Sequence, residues 1–187
     1  MPRDALANPV ALSILGALLE QSMYPYQLAT ALADRGVPVN RGTVYDTLEA
    51  MTRAGWVEPQ AAEQAGARPK RTPYALTEDG RDELVRRLDT QIRTPRREFT
   101  EFLGAVSHIG VLGPARAAEA LSERAERLAV LMDEDHRHLD EALADGSVPR
   151  LFVIEGEYAL TMMQTERDWV LALADEIRAG ELAWPHR

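Results

Sequence analysis

Apolar residues recur three and four positions apart over most of the chain, and this spacing predicts helices. In the first 55 residues, three such segments open at Asn8-Pro9, at Pro25 and at Asn40, all good N-terminal signals. The first is expected to run to about Gln21, and the others to stop at Gly36 and Gly55. Their predicted buried positions are Val10, Ile14, Leu15, Leu18 and Leu19, then Leu28, Ala31 and Leu32, then Val44, Leu48 and Met51.

The pattern changes after the third helix. The segments 56–59 and 72–76 are typical of short strands, and the residues between them are rich in Ala, Gly and Gln, so a small hairpin is predicted. Thr77 is the expected N-cap of a fourth helix, because two acidic residues that favour a helix N-terminus follow it. The predicted buried side of that helix comprises Leu84, Val85 and Leu88.

The rest of the chain is predicted to be almost entirely helical. Pro95 interrupts the pattern, which places a domain boundary at 93–97 and predicts two domains, 1–93 and 97–187. Helices are expected at 97–109, from Pro114 to about Ala144, and after Pro149. The two long helices have apolar seams that suggest packing on each other and on a second chain, so we expect a homodimer. These seams comprise Leu121, Ala125, Leu128, Met132 and Leu139, then Phe152, Gly156, Ala159, Met163, Val170, Leu173 and Ile177.

Charge separates the two predicted domains. The 187 residues carry a net charge of −9, but residues 1–97 hold 13 basic and 12 acidic side chains, whereas residues 98–187 hold 8 and 18. The first part is therefore able to face phosphate if its basic residues cluster. The chain has no cysteine, and its longest apolar stretch, Val10–Leu19, is too short to span a bilayer. A cytoplasmic protein with no membrane partner is expected.

Three helices followed by a two-stranded hairpin is the order of a winged helix-turn-helix domain. The predicted fold is therefore mainly α, with an N-terminal winged helix-turn-helix followed by an α-helical dimerisation domain. In this fold the third helix reads double-stranded DNA with its N-terminal turn, which holds Asn40, Arg41, Thr43 and Tyr45. Arg68, Lys70 and Arg71 would lie on the wing and contact the backbone or the minor groove, unless this loop is basic only for solubility.

A family resemblance supports this interpretation. Tyr26–Ala29, Arg41–Glu49, Ala54–Glu58 and Arg68–Arg81 together resemble the PadR family of transcriptional regulators, in order and over nearly all of residues 8–90. Gly-Thr-Val-Tyr at 42–45 and Tyr-x-Leu-Thr-x-x-Gly at 74–80 are specific when they occur together. The sequence departs from the family at Pro25, where glycine is usual, and the acidic second half is similar to the helical domain of longer members.

The resemblance implies a dimeric regulator that binds a DNA operator, commonly a repressor released by a small molecule. By position, Thr43 and Tyr45 match the recognition helix, and Arg68, Lys70 and Arg71 match the wing. Packing is the expected role of Tyr74 and Leu76 in the wing strand, and the ring of Tyr45 has packing between helices as an alternative.

Other classes of function have weaker support. No phosphate loop, nucleophile motif or pair of catalytic carboxylates is visible, so no enzyme activity and no cofactor are expected. His136 and His138 lie on different helix faces, which argues for a solvated surface and against a metal site. Met162, Met163 and Trp169 are candidates for binding a small aromatic effector, with helix-seam packing as the alternative. The alternative function is a winged-helix protein-interaction module without specific DNA binding.

Overall fold

The computed structural model describes residues 6, 9–37, 39–61, 72–97, 99–144 and 146–184. The chain divides into two compact units, Met1–Arg97 and Glu98–Arg187. Helices dominate both units, and the described strands belong to one small antiparallel sheet in the first. The described helices include none that combines the length and the apolar character needed to cross a bilayer.

The first unit contains helices α1 (Pro9–Ala17), α2 (Pro25–Asp34), α3 (Arg41–Arg53) and α4 (Glu78–Arg93). Strands β1 (Val57–Pro59) and β2 (Tyr74–Leu76) lie between α3 and α4 and pair antiparallel, with Val57 opposite Leu76. This is the three-helix and hairpin order of the predicted winged helix-turn-helix, so the fold class is confirmed. The first helix is shorter than predicted, because a turn replaces the helix after Ala17.

One apolar core holds these elements together. It joins side chains from α1 to α4 and from β1, and its largest fully buried members are Ile14, Leu15, Leu28, Leu32, Val44, Leu48, Met51 and Val57. Most predicted core positions are therefore confirmed. Leu19 is 41% exposed, because the helical spacing that would bury it ends two residues earlier.

The fourth helix buries a different face from the predicted one. Leu84 is buried, but Val85 and Leu88 are 61% and 41% exposed. Gly80 is buried one turn before Leu84, and the Arg87 guanidinium covers the Trp56 ring at 4.8 Å from its centroid. A glycine and an arginine thus flank the buried leucine on this face, and a search for apolar residues alone misses it.

The second unit is built on two long helices. It contains α5 (Glu101–Val106), a 3₁₀ helix (Ile109–Leu112), α6 (Pro114–Leu143), a second 3₁₀ helix (Arg150–Phe152) and α7 (Ile154–Ala179). Ala117, Leu121 and Ala125 at the start of α6 pack with Val170 and Ile177 near the end of α7, so the two helices run antiparallel. The helix predicted over 97–109 is shorter, because Thr100 caps α5 through the Leu103 N–H and Ser107 ends it.

The apolar seam of α7 follows the prediction only in its second half. Val170 and Ile177 are buried as expected, and Leu173 is half-buried. Phe152 is 65% exposed, because it belongs to the 3₁₀ helix before α7. Ala159 is exposed and its neighbour Leu160 is buried, so the buried position at this point is shifted by one residue from the predicted one.

Candidate nucleic-acid interface

The N-terminal turn of α3 is held by its cap residue. Asn40 Oδ1 accepts a hydrogen bond from the Thr43 N–H at 2.8 Å and another from the Thr43 hydroxyl at 3.1 Å. A side chain at position 42 would crowd this cap, since a Cβ on Gly42 would lie 3.2 Å from Asn40 Oδ1. The Asn-x-Gly-Thr spacing therefore sets the local structure of this turn.

The cap divides the predicted contact residues into two groups. Asn40 Oδ1 and the Thr43 hydroxyl are engaged in the turn itself. Arg41 and Tyr45 are exposed, and Tyr45 retains 56% of its accessible surface. Arg41 and Tyr45 are thus the predicted contact residues that remain available to a ligand near the start of α3, where the positive end of the helix dipole lies.

The opposite face of α3 anchors it in the core. Val44, Leu48 and Met51 are fully or almost fully buried, and the buried Thr47 hydroxyl donates to the Thr43 carbonyl oxygen at 2.7 Å. Arg53 lies at the other end of the helix, where its Nη2 is 3.9 Å from Glu49. Arg41, at the opposite end of the helix, is exposed and forms no ion pair with an acidic side chain among the described residues.

A cleft of about 500 Å³ adjoins this turn. It is lined by four tyrosines and by Arg41, in full Tyr24, Pro25, Tyr26, Arg41, Tyr45, Thr72 and Tyr74. The rings of Tyr24 and Tyr26 stack with their centroids 5.8 Å apart. Sequence reasoning missed Tyr24 and Tyr26 and assigned Tyr74 only to packing.

The cleft depends on a contact between distant segments. Met23 and Tyr74 exchange two backbone hydrogen bonds, of 3.0 and 2.9 Å, which join the residues before α2 to strand β2. This bridge brings Tyr24 and Tyr74 to one side of α3. The aromatic residues at the start of α2 were the sequence signal for this cleft. Their position beside strand β2, however, depends on the tertiary structure and is not encoded in the local sequence.

The junction between the hairpin and α4 is closely packed. The Thr77 hydroxyl donates to the Gly55 carbonyl oxygen at 2.6 Å and accepts from the Gly80 N–H at 3.0 Å. A Cβ on Gly80 would lie 2.0 Å from the Trp56 carbonyl oxygen, so only glycine fits here. The Thr-x-x-Gly spacing therefore fixes the strands of the wing relative to α4.

The other predicted site residues do not belong to this cleft. Arg68, Lys70 and Arg71 lie outside the described residues. Met162 and Trp169 are 43% and 47% exposed on α7, while Met163 is half-buried on a different face of the same helix. Across the described part of the chain, no three His, Asp or Glu side chains gather as a metal site. His136 Nδ1 instead lies 2.8 Å from the Met132 carbonyl oxygen of its own helix.

Comparison with known proteins identifies the first unit. Residues 14–86, which include α2, α3, both strands and the Thr77 junction, match the transcriptional regulator PadR-like family. The chain carries a PadR-like domain. The family that matches these residues is one of transcriptional regulators, as the resemblance implied. No curated protein matches the sequence significantly.

Solved structures extend the likeness beyond the PadR-like domain. Bacillus subtilis PadR in complex with operator DNA is 17% identical, with a TM-score of 0.74 over 91% of this chain and 99% of that one. The same protein in complex with p-coumaric acid, also 17% identical, gives a TM-score of 0.72 over 89% and 97%. A PadR-like transcriptional regulator from Bacillus cereus is 14% identical, with a TM-score of 0.63 over 91% and 99%. At these identities the likeness shows the fold.

Proposed function

We propose that this protein is a homodimeric, sequence-specific DNA-binding repressor. It releases its operator when it binds a small molecule. In this proposal residues 1–93 bind DNA, residues 97–187 form the dimer and take the effector, and the protein acts in the cytoplasm. The observation that carries the proposal is the N-terminal turn of α3 in a PadR-like domain, where Arg41 and Tyr45 are exposed beside the tyrosine-lined cleft.

Electrostatics favour this end of α3 as the part that enters the major groove. The helix N-terminus attracts phosphate, and Arg41 adds a guanidinium that pairs well with guanine. Asp46 and Glu49 are exposed further along the helix, where they would repel a phosphate backbone. We therefore orient α3 with Arg41 towards the bases, and we assign the cleft to a backbone phosphate that the tyrosine hydroxyls contact.

An exposed apolar stripe on α7 supports the dimer. Ile154, Tyr158, Met162 and Trp169 are between 43% and 68% exposed. At helical spacing they fall within about 80° of arc, on a different face from the buried Val170 and from the rest of the seam against α6. A stripe of this kind marks a protein interface, and a twofold DNA site needs a twofold protein.

The dimer is tested by analytical ultracentrifugation at micromolar concentration. We expect twice the monomer mass of 20.8 kDa. Tyr158→Asp should shift the protein towards monomer, because it places a charge in the stripe. Tyr45→Asp is the matched control, since Tyr45 is similarly exposed but lies on α3, and it should leave the mass unchanged. A wild-type protein that sediments only as monomer contradicts the dimer.

The regulatory part of the proposal comes from the relatives. Bacillus subtilis PadR shares this fold and has been solved both with operator DNA and with p-coumaric acid. We extend the two kinds of partner, an operator and a small molecule, to this chain. Repression with release by an effector is the simplest mechanism that uses both.

Selection of duplexes from a random pool, with the full-length protein at low salt, tests the DNA-binding function. We expect enrichment of a two-part site whose halves lie about 10 base pairs apart, the spacing at which two recognition helices reach one face of the duplex. If no duplex is bound even at low salt, the winged helix is a protein-interaction module and the proposal is wrong.

A further inference from the structure

The tyrosine-lined cleft beside α3 is larger and more aromatic than a backbone phosphate requires. Its volume of about 500 Å³ is within the range of small-molecule sites, which are typically about 300–1,000 Å³. A phosphate group is bound by hydroxyls, amides and guanidinium groups, and it makes no use of an aromatic surface. Four of the seven described lining residues are tyrosines, so a phosphate accounts for little of this wall.

The described lining of the cleft is positively charged. Arg41 is its charged member, no acidic residue belongs to it, and Arg41 forms no ion pair with an acidic side chain among the described residues. The cleft thus differs in sign from the chain, whose net charge is −9. A guanidinium that has no carboxylate partner favours an anion, and the fork of its N–H groups matches phosphate oxygens.

The aromatic wall is held in place before any ligand arrives. Pro25 lies between Tyr24 and Tyr26, is buried, and has a fixed backbone angle at the start of α2. The Tyr24 N–H donates to Gln27 Oε1 at 2.9 Å, and the rings of the two tyrosines stack at an angle of 19°. The backbone bridge described above ties Tyr74 to the same segment. A wall that is already ordered loses little conformational entropy on binding.

An ordered aromatic wall beside a cation is suited to a nucleotide with an unpaired base. Such bases stack on tyrosine rings, and stacking accepts any base because every base has a π-face. Tyr26 and Tyr45 are 42% and 56% exposed, and Arg41 lines the same cleft, where it can contact the phosphate. The bases of a duplex are stacked on one another and do not reach these rings. The wall therefore fits a group that duplex DNA does not offer.

We propose that this cleft binds a free nucleoside monophosphate, with the base on the ring of Tyr26 and the phosphate at Arg41. One arginine matches one phosphate group. The site is separate from the effector site assigned to residues 97–187. Its regulatory meaning rests on the proposed function, because a nucleotide in the cleft occupies the place assigned to a backbone phosphate of the operator. Nucleotide and operator then compete directly for the same surface.

Three probes test the class of ligand. The full-length protein is titrated by calorimetry with adenosine 5′-monophosphate, with adenosine and with inorganic phosphate, all at the same ionic strength. We expect one adenosine monophosphate to bind per chain, and adenosine and phosphate to bind about tenfold more weakly or worse, because each retains one of the two contacts. The absence of saturable nucleotide binding would overturn the proposal, as would an equal affinity for the nucleotide and for phosphate.

The contact with the base is tested at Tyr26. Tyr26→Leu should weaken binding of adenosine monophosphate about tenfold, whereas Tyr26→Phe keeps the ring and should stay within about twofold of the wild type. Phe152→Leu is the control, since Phe152 is a 65% exposed aromatic residue of the second unit, and it should change nothing. Full affinity in Tyr26→Leu would overturn the proposal. An equal loss in Tyr26→Leu and Tyr26→Phe would refute stacking, because it would assign the contact to the hydroxyl.

The contact with the phosphate is tested at Arg41. Arg41→Gln should weaken binding of adenosine monophosphate about fivefold and leave the weaker binding of adenosine unaffected, the size expected for one exposed charge pair. Arg53→Gln, at the other end of α3 and outside the lining, should change neither affinity. An equal loss of both probes in Arg41→Gln would refute the assignment of the phosphate.

A single-stranded pentamer of deoxyadenosine identifies the source of the nucleotide, because it carries the same unpaired base beside a phosphate. Binding of the pentamer more than about tenfold tighter than that of adenosine monophosphate would assign the cleft to single-stranded DNA and overturn the free nucleotide as its ligand. Comparable affinities would support the free nucleotide, since the cleft then gains nothing from the rest of the strand.

Competition with the selected operator separates this proposal from the proposed function. We expect adenosine monophosphate, but not adenosine, to displace the duplex at fixed ionic strength, measured by fluorescence anisotropy. If the protein binds the nucleotide but no duplex, the cleft assignment stands and the repressor function fails. If it binds the duplex but no nucleotide, the cleft assignment fails and the repressor function stands. Nucleotide binding that leaves the operator bound would contradict direct competition.

Discussion

Substitution of Gly80 by alanine tests the structural account of the wing junction. Gly80 is in the first turn of α4, and its α-carbon faces the backbone that leads into strand β1. An added Cβ would lie 2.0 Å from the oxygen and 2.8 Å from the carbon of the Trp56 carbonyl group. These are backbone atoms, so a side-chain rotation does not relieve the overlap.

The size of the effect follows from the contacts that must break. The closest carbon-to-oxygen contacts are about 3.3 Å, so α4 and the start of β1 must separate by more than about 1 Å. That movement lengthens the hydrogen bonds from Thr77 to Gly55 and Trp56, now 2.6 and 3.1 Å. Overpacking costs about 1–3 kcal/mol and each lost hydrogen bond about 1 kcal/mol, against about 1 kcal/mol gained in helix propensity. We expect Gly80→Ala to lower the free energy of unfolding by about 2–4 kcal/mol.

Amide hydrogen exchange read by mass spectrometry is the suitable assay, since it reports on each unit separately. Peptides from α3 and from the strands should exchange about 100-fold faster in Gly80→Ala, which corresponds to about 3 kcal/mol. Gly16→Ala is the matched control. A Cβ on Gly16 meets no atom within 4 Å, so helix propensity should leave that variant as stable as the wild type or more so. Equal exchange in Gly80→Ala and Gly16→Ala would refute the packing argument.

Two further predictions concern the wing and the acid sensitivity of the first unit. Replacement of Arg68, Lys70 and Arg71 together by alanine should weaken binding to all duplexes alike and reduce the slope of log affinity against log salt by nearly one per lost phosphate contact, measured by fluorescence anisotropy; an unchanged slope would assign this loop to solubility. Hydrogen bonds from Arg86 and Arg87 lower the pKa of Glu83, so the ionised carboxylate favours the folded state above the ordinary pKa of glutamate, and this contribution is lost as the pH falls through the lowered value. Glu83→Gln should therefore cost about 1–3 kcal/mol at pH 7 in urea unfolding, and its deficit relative to the wild type should shrink towards pH 3; a deficit independent of pH would contradict the role of the charge.

Local signals made helix α3 predictable. Asn40 is a capping residue, Gly55 has a φ of +78°, and Val44, Leu48 and Met51 lie on one face, so the start, the end and the buried side of α3 are all encoded within the segment itself. The same holds for Thr77 as the cap of α4. Where neighbouring residues alone fix a feature, the sequence was sufficient to predict it.

Features that depend on distant segments were not predictable in this way. The tyrosine-lined cleft requires the bridge between Met23 and Tyr74, which are 51 positions apart along the chain. On α7, apolar residues occupy both the face against α6 and the exposed stripe, so periodicity alone does not distinguish Ala159 from Leu160 as the buried position. On α4, the buried face includes Gly80 and Arg87, which no hydrophobic pattern selects.

The most direct test of the central claim compares the two ends of α3 on DNA. Wild type, Arg41→Ala and Arg53→Ala are each titrated at fixed salt against a selected operator duplex and a scrambled duplex of the same composition. Arg41→Ala should cost about 1–3 kcal/mol on the operator and less on the scrambled duplex, because Arg41 is at the exposed turn that approaches the bases. Arg53→Ala should affect both duplexes little and equally. If Arg53→Ala instead weakens only the operator while Arg41→Ala weakens both equally, the orientation of α3 in the groove is wrong.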